Sequence, residues 1–191
     1  MQWQDYKNSM PFSYHLVCLS LCFSLSIGYP PDPPFYKANF DRALFKGSSS
    51  AGIGVVRDFK GNVIRALSKW IGLPPSEVEV EALACRRAIY FAIEIGLQEV
   101  VSEGDSEMII NSLNSDCSSL AHFGHLVEDC GVQVGNLRFS TFTHVCRICN
   151  VVAKKLAKKA RYLLFPQFWL EDIPVDVSPF VIQGRNFMSN H

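Results

Sequence analysis

The 191-residue sequence has no excess of either charge, with 18 Lys and Arg against 18 Asp and Glu. That balance excludes a general affinity for polyanions, so any nucleic-acid role needs a local basic cluster. No apolar run is long enough to cross a bilayer comfortably; the longest, Leu16–Ile27, falls short. A disulfide framework is also lacking. Seven cysteines is an odd count without regular spacing, which favours reduced thiols. Cys146 and Cys149 form a single C-x-x-C with no second pair at zinc-site spacing. They read as incidental loop thiols in preference to a redox pair. What remains has the composition of an ordinary globular chain, 48% hydrophobic and 19% charged, sized for one domain with a sizeable core.

Residues 1–30 are unlike the rest. Leu16–Ile27 has the length of a signal-peptide core, and Ser26-Ile27-Gly28 offers small residues for cleavage, but Lys7 is its only basic residue. Three readings stay open: a targeting leader, a buried strand or helix, or an extension foreign to the domain. The proline-rich Tyr29–Pro34 marks the expected start of a domain over 31–164, followed by a loosely packed tail over 165–191.

The hydrophobic pattern of that domain predicts β-β-β-α-β-α-α-β-α. Phe35–Phe45 reads as one strand, with Tyr36, Ala38 and Phe40 alternating against Lys37, Asn39 and Asp41. Gly47–Ser50 reads as a turn, Gly52–Arg57 and Asn62–Trp70 as strands, and Asp58–Gly61 as a hairpin loop between them. Ser76–Gly96 is the clearest helix. Pro74 and Pro75 precede it, Ser76 and Glu79 have capping-box spacing, and Gly96 suits the C′ position. Its apolar stripe holds Val78, Ala82, Cys85, Ala88, Ile89 and Ala92, with Glu81 inside it and Glu77 and Glu79 toward water. Glu99–Glu103 reads as a buried parallel strand and Ser106–Leu113 as a short helix. Leu120–Val134 follows as a helix, Leu137–Val145 as a strand with Leu137, Phe139 and Thr141 on one row, and Asn150–Leu164 as the last helix. A meander followed by helical crossovers implies an α/β fold with a mixed sheet flanked by helices.

Glu81 is costly on an apolar face unless something compensates it. Asp41 lies in the first strand and Asp105 at the end of the fourth, so adjacent parallel placement brings both toward that helix. Three converging carboxylates repel one another, and an all-oxygen set of this kind suits Mg²⁺ or Mn²⁺. Two such ions roughly 4 Å apart would support phosphodiester hydrolysis. Taken singly, Asp41 can cap a turn, Asp105 can N-cap the Ser106 helix, and Glu81 can pair with a buried base. Together, in this element order, they favour a metal site.

KANFDRA, GIGVVRD with GNVI, EVEALA, SEGDS and FTHV followed by Asn150 resemble plant RNase H-like domains related to the RNase H portions of retrotransposon reverse transcriptases. The resemblance covers about Pro31–Leu164, with a continuation in WLEDIP, Trp169–Pro174. It implies a five-stranded mixed sheet in the order 3-2-1-4-5 and cleavage of RNA in RNA–DNA hybrids. It assigns Asp41, Glu81 and Asp105 as metal-binding catalytic carboxylates and His144 as the histidine assisting proton transfer, and it matches Asn150 to the asparagine beyond that histidine. The family's fourth carboxylate falls at position 154, which here is Lys154, and Arg42 stands where glycine is common. Lys154 puts a second metal, and so the rate, in question; Arg42 either crowds the hybrid or binds a phosphate.

Lys154, Lys155, Lys158 and Arg161 cluster on the last helix. They suit phosphate-backbone contact, or equally a solvated helix face with basic residues near its C-terminus. His122 and His125 read as solvated. The expectation is a monomer with a nucleic-acid partner, an RNA–DNA hybrid or duplex, and no membrane partner. Two competing readings are a catalytically impaired binding module and a transposon-derived relic.

Overall fold

The computed structural model describes residues 35–45, 48–51, 55–57, 62–72, 74–115 and 121–182. The leader, the Tyr29–Pro34 stretch and the Asp58–Gly61 loop lie outside them.

The strands are β1 (Tyr36–Asn39), β2 (Arg42–Phe45), β3 (Ser48–Ala51), β4 (Val55–Arg57), β5 (Val63–Ser68), β6 (Glu99–Gly104), β7 (Phe139–His144) and β8 (Gln167–Leu170). Six form one sheet in the order β7-β6-β1-β4-β5-β8, while β2 and β3 make a separate antiparallel ribbon. β6 runs parallel to both β1 and β7, and the β1-β4-β5-β8 side is antiparallel. The α/β class and mixed sheet are as expected, but the five-strand arrangement is only part of what forms.

Two differences have identifiable causes. The expected first strand breaks at Phe40–Asp41 into β1 and β2. Asp41 Oδ1 accepts from the Arg42 amide at 2.7 Å, and the Phe40 carbonyl accepts from Asn150 Nδ2 at 2.7 Å, so side chains take backbone groups that a continuous ladder would use. The expected turn at Gly47–Ser50 is likewise displaced, because Ser48–Ala51 pairs with β2.

The second difference is the tail. β8 pairs with β5, and Ile173, Val177 and Val181 are buried in one cluster with Val152, Ala153, Leu156 and Ala157. These last four belong to α4 (Val151–Lys159), which ends in a 3₁₀ turn at Ala160–Tyr162. Lys159 Nζ to Asp176 at 2.9 Å and Lys155 Nζ, 4.6 Å from the Phe180 ring centre, join the same two segments at the surface. The packed unit therefore continues past Leu164. Val177→Ala is expected to lower stability by roughly 1–3 kcal/mol in chemical denaturation, whereas a loose tail would leave the midpoint unchanged.

The opposite face carries α1 (Glu77–Glu94), α2 (Glu107–Leu113) and α3 (Gly124–Val134). Ala66 and Leu67, neighbours on β5, show the division: Ala66 packs with α4 and Leu67 with Phe91 and Ala92 of α1. Ser76 Oγ accepts from the Glu79 amide at 3.2 Å, and Gly96 ends the helix at φ +82°. Ala82, Cys85, Ala88, Ile89 and Ala92 are buried as the stripe requires, but Glu79, expected at the surface, is buried too. On β7 it is Phe142 that enters the core, on the row opposite Leu137, Phe139 and Thr141. The polar row of β1 is also buried. Lys37 Nζ lies 2.9 Å from Glu103 Oε1 and Asn39 Nδ2 donates to Glu103 Oε2 at 3.0 Å, tying β1 to β6 just before the site.

Candidate metal centre and basic groove

The parallel register of β1 and β6 places Asn39 opposite Glu103. Asp41 and Asp105 each follow that pair by two residues, so both leave the sheet side by side at its C-terminal edge. The Phe40 amide donates to the Glu103 carbonyl at 2.8 Å, which extends the register to the edge. Gly104 is needed here, because a Cβ at that position would collide with the Phe40 ring. α1 crosses the same edge and presents Glu81 from its buried side. One oxygen from each of Asp41, Glu81 and Asp105 lies within 4.8 Å of the others. The expected convergence is therefore present.

Asp41 is 3% exposed and Glu81 2%. Asp41 Oδ2 and Glu81 Oε1 are buried without a hydrogen-bond partner. Burial, with the Asp105 charge beside it, raises the Asp41 pKa to about 7; burial, with Asp41 and Asp105 nearby, raises Glu81 to about 8. Unpartnered, electron-rich oxygens in a like-charged cluster fit a hard divalent cation.

The cluster is met by a basic set. Arg42 bridges α1, with Nε 3.0 Å from Glu81 Oε2 and a terminal nitrogen 2.8 Å from Glu77 Oε2. Arg147 Nε donates to Asp105 Oδ2 at 2.8 Å. Lys154 makes no direct ion pair with the carboxylates among the described residues, but its charge lowers the Asp41 pKa against the stronger raising effects. The buried acid of α1 thus faces Arg42, and Lys154 acts on Asp41.

Asp41, Glu81 and Asp105 open into a groove of about 850 Å³ whose far wall is α4 and the turn after it, including Lys154, Lys155, Lys158 and Arg161. Lys155 and Arg161 are steadied on the Phe180 and Phe45 rings. His144 is exposed at the end of β7, opposite Gly104, and does not line the groove. Asn150 is buried and anchors the start of α4 to the Phe40 carbonyl, beside Asp41. Cys146 and Cys149 form no disulfide among the described residues, and His122 and His125 are exposed.

Sequence reading missed the pairing of Arg147, which it met only as the middle of the C-x-x-C. Its partner is 42 residues away, and no local periodicity points to it. Arg42 was noticed by its position after Asp41, and its Glu77 and Glu81 partners are spaced i, i+4 on one helix face, a signal that was available.

Residues 39–160 match the model of a family described as Reverse transcriptase-like. No curated protein sequence matches the chain. RNase H1 from the halophilic archaeon Halobacterium salinarum NRC-1 is similar in structure, with a TM-score of 0.61 and 21% identity over 67% of this chain and 98% of that one. The N-terminal RNase H domain of a Mycobacterium tuberculosis protein, solved as a maltose-binding-protein fusion, gives 0.58 and 18% over 66% and 98%. LC11-RNase H1 in complex with an RNA/DNA hybrid gives 0.57 and 22% over 65% and 95%. At these identities the likeness is one of fold.

Proposed function

Since the chain belongs to the reverse transcriptase-like family and has an RNase H-like fold, we propose that it is a divalent-metal-dependent ribonuclease that cleaves the RNA strand of RNA–DNA hybrids. The observation that carries this reading is the convergence of Asp41, Glu81 and Asp105, two of them with unpartnered buried oxygens, at the floor of a groove with a basic wall. The hybrid bound by LC11-RNase H1 supports the choice of substrate.

Asp41, Glu81 and Asp105 would hold Mg²⁺ or Mn²⁺, which supplies activation of the attacking water and stabilisation of the leaving oxygen. Glu81 orients that water. Its carboxylate is fixed from behind by Arg42, so one oxygen stays directed into the cluster. Lys154, Lys155, Lys158 and Arg161 bind backbone phosphates by charge, without base specificity. The family likeness would give His144 the proton-transfer role, exercised from the exposed end of β7. Asn150 keeps Asp41 in place through the Phe40 carbonyl.

The test is cleavage of an end-labelled RNA–DNA hybrid across Mg²⁺ and Mn²⁺ concentrations. Cutting confined to the RNA strand, lost on chelation and in Asp105→Asn, is the expected result. No cleavage at stoichiometric enzyme with saturating Mn²⁺ would overturn the reading. Salt-sensitive binding without turnover would then favour the binding-module alternative.

A further inference from the structure

Asp105 and Arg147 make an unequal pair. The Asp105 side chain is 7% exposed and that of Arg147 is 70% exposed, yet they meet at 2.8 Å. An exposed guanidinium thus lies on a nearly enclosed carboxylate. Arg42 contrasts with it. Its side chain is 26% exposed and is held at two points, by Glu77 and by Glu81. Arg147 is held to the carboxylates through Nε alone, and its terminal nitrogens have no ion-pair partner among the described residues. The base of the arm is fixed, because the Cys149 amide donates to the Cys146 carbonyl at 2.8 Å across the turn that carries it. Arg147 also lines the groove, facing α4 and its lysines.

A cation held by Asp105 would meet a guanidinium already on that carboxylate. Two positive charges on one carboxylate repel each other, and Arg147, with an exposed shaft and a single anchor, is able to move away where the doubly held Arg42 stays on Glu81. Its terminal nitrogens match a phosphate, which a guanidinium binds in bidentate fashion.

We propose that Arg147 is a two-position arm: without metal it neutralises Asp105, and when a divalent cation binds it moves to a backbone phosphate of nucleic acid in the groove. This rests on the hybrid-nuclease reading above. Cation and nucleic acid are then coupled, since each releases or occupies the same side chain, and linkage makes the effect mutual.

The test measures binding, not turnover. Mn²⁺ affinity of the metal-free protein is read by calorimetry. Hybrid affinity is read by fluorescence anisotropy, with and without Ca²⁺ and over a range of salt, with thermal melts as a folding control. In Arg147→Met, Mn²⁺ is expected to bind about tenfold tighter without nucleic acid. Hybrid affinity in Ca²⁺ is expected to fall about fivefold, with a salt slope lower by about one. Arg147→Lys, which keeps a mobile charge, is expected to stay within about threefold of the native protein in Mn²⁺ affinity. Unchanged Mn²⁺ affinity in Arg147→Met, or an unchanged salt slope, overturns the arm. If the native protein binds Mn²⁺ and cleaves hybrid while Arg147→Met alters neither binding property, the arm alone fails. If the native protein binds no Mn²⁺ and cleaves nothing, the parent reading fails and the arm with it.

Discussion

Asp41→Asn is expected to lower hybrid cleavage by about 10³-fold or more and, in the same protein, to raise thermal stability at pH 8. The first effect follows from the role proposed for Asp41, because a neutral amide removes charge from a set that would hold the metal, where several kcal/mol of stabilisation are involved. The second follows from burial. The native Asp41 pKa is raised to about 7 from 3.8, so the folded state keeps a proton that the unfolded chain has released. A raised carboxyl pKa contributes its full stability below about pH 4, and that contribution is lost as pH rises through about 7. Glu81, raised to about 8, acts in the same direction over a slightly wider range.

The stability gap between Asp41→Asn and the native metal-free protein should therefore be near zero at pH 4 and reach roughly 2–4 kcal/mol at pH 8. Backbone geometry should survive, since the amide oxygen of asparagine can still accept from the Arg42 N–H that Asp41 Oδ1 now takes. Saturating Mg²⁺ should narrow the gap by stabilising the native protein, and the variant much less. Melts at several pH values with and without Mg²⁺ check this. A gap that is constant with pH would mean that Asp41 is not strained by burial.

Lys154→Asp should act in the opposite sense on metal. Lys154 places a positive charge close enough to lower the Asp41 pKa, and it lines the same groove. Replacing it with a carboxylate removes that charge and adds a fourth oxygen donor. Divalent affinity rises with ligand charge, so the Mg²⁺ concentration for half-maximal cleavage should fall about tenfold or more, with faster cleavage at low Mg²⁺. Metal-free stability at pH 8 should fall, because another like charge joins the cluster. A Mg²⁺ titration of cleavage, beside melts of the metal-free protein, measures both. If neither the Mg²⁺ requirement nor the metal-free melt changes, Lys154 is electrostatically remote from the site. A gain in cleavage would identify the native chain as an enzyme slowed by its own lysine.

The two variants bracket the electrostatics of the groove. Arg42, Arg147 and Lys154 offset part of the charge of the three carboxylates before any cation binds, while burial and mutual repulsion still hold Asp41 and Glu81 above the usual carboxylate range. A cation would relieve that repulsion but must compete with the resident bases. The three bases are not equivalent: Arg42 is clamped, Lys154 acts without direct contact, and Arg147 is poised at the surface.

What the sequence determined by itself was local and periodic. The Ser76 cap, the α1 stripe with Glu81 inside it and the Gly96 stop all depend on residues within a few positions of one another, and the structure follows them. The convergence of Asp41, Glu81 and Asp105 was also within reach, since parallel pairing of two strands crossed by one helix leaves little choice of where those side chains meet. Only the tertiary structure decided the rest. A four-residue strand such as Gln167–Leu170 is too short for its period to be read, and its place beside β5 depends on packing of the segment after it against α4. Which face of β7 is buried depended on α2 and α3 covering Phe142, not on its alternation. Above all, the partner of each carboxylate was open. An aspartate at a strand end is compatible with many bases, and Arg147 reaches Asp105 only because β6 and β7 run side by side, bringing a turn from far along the chain to the edge of the site.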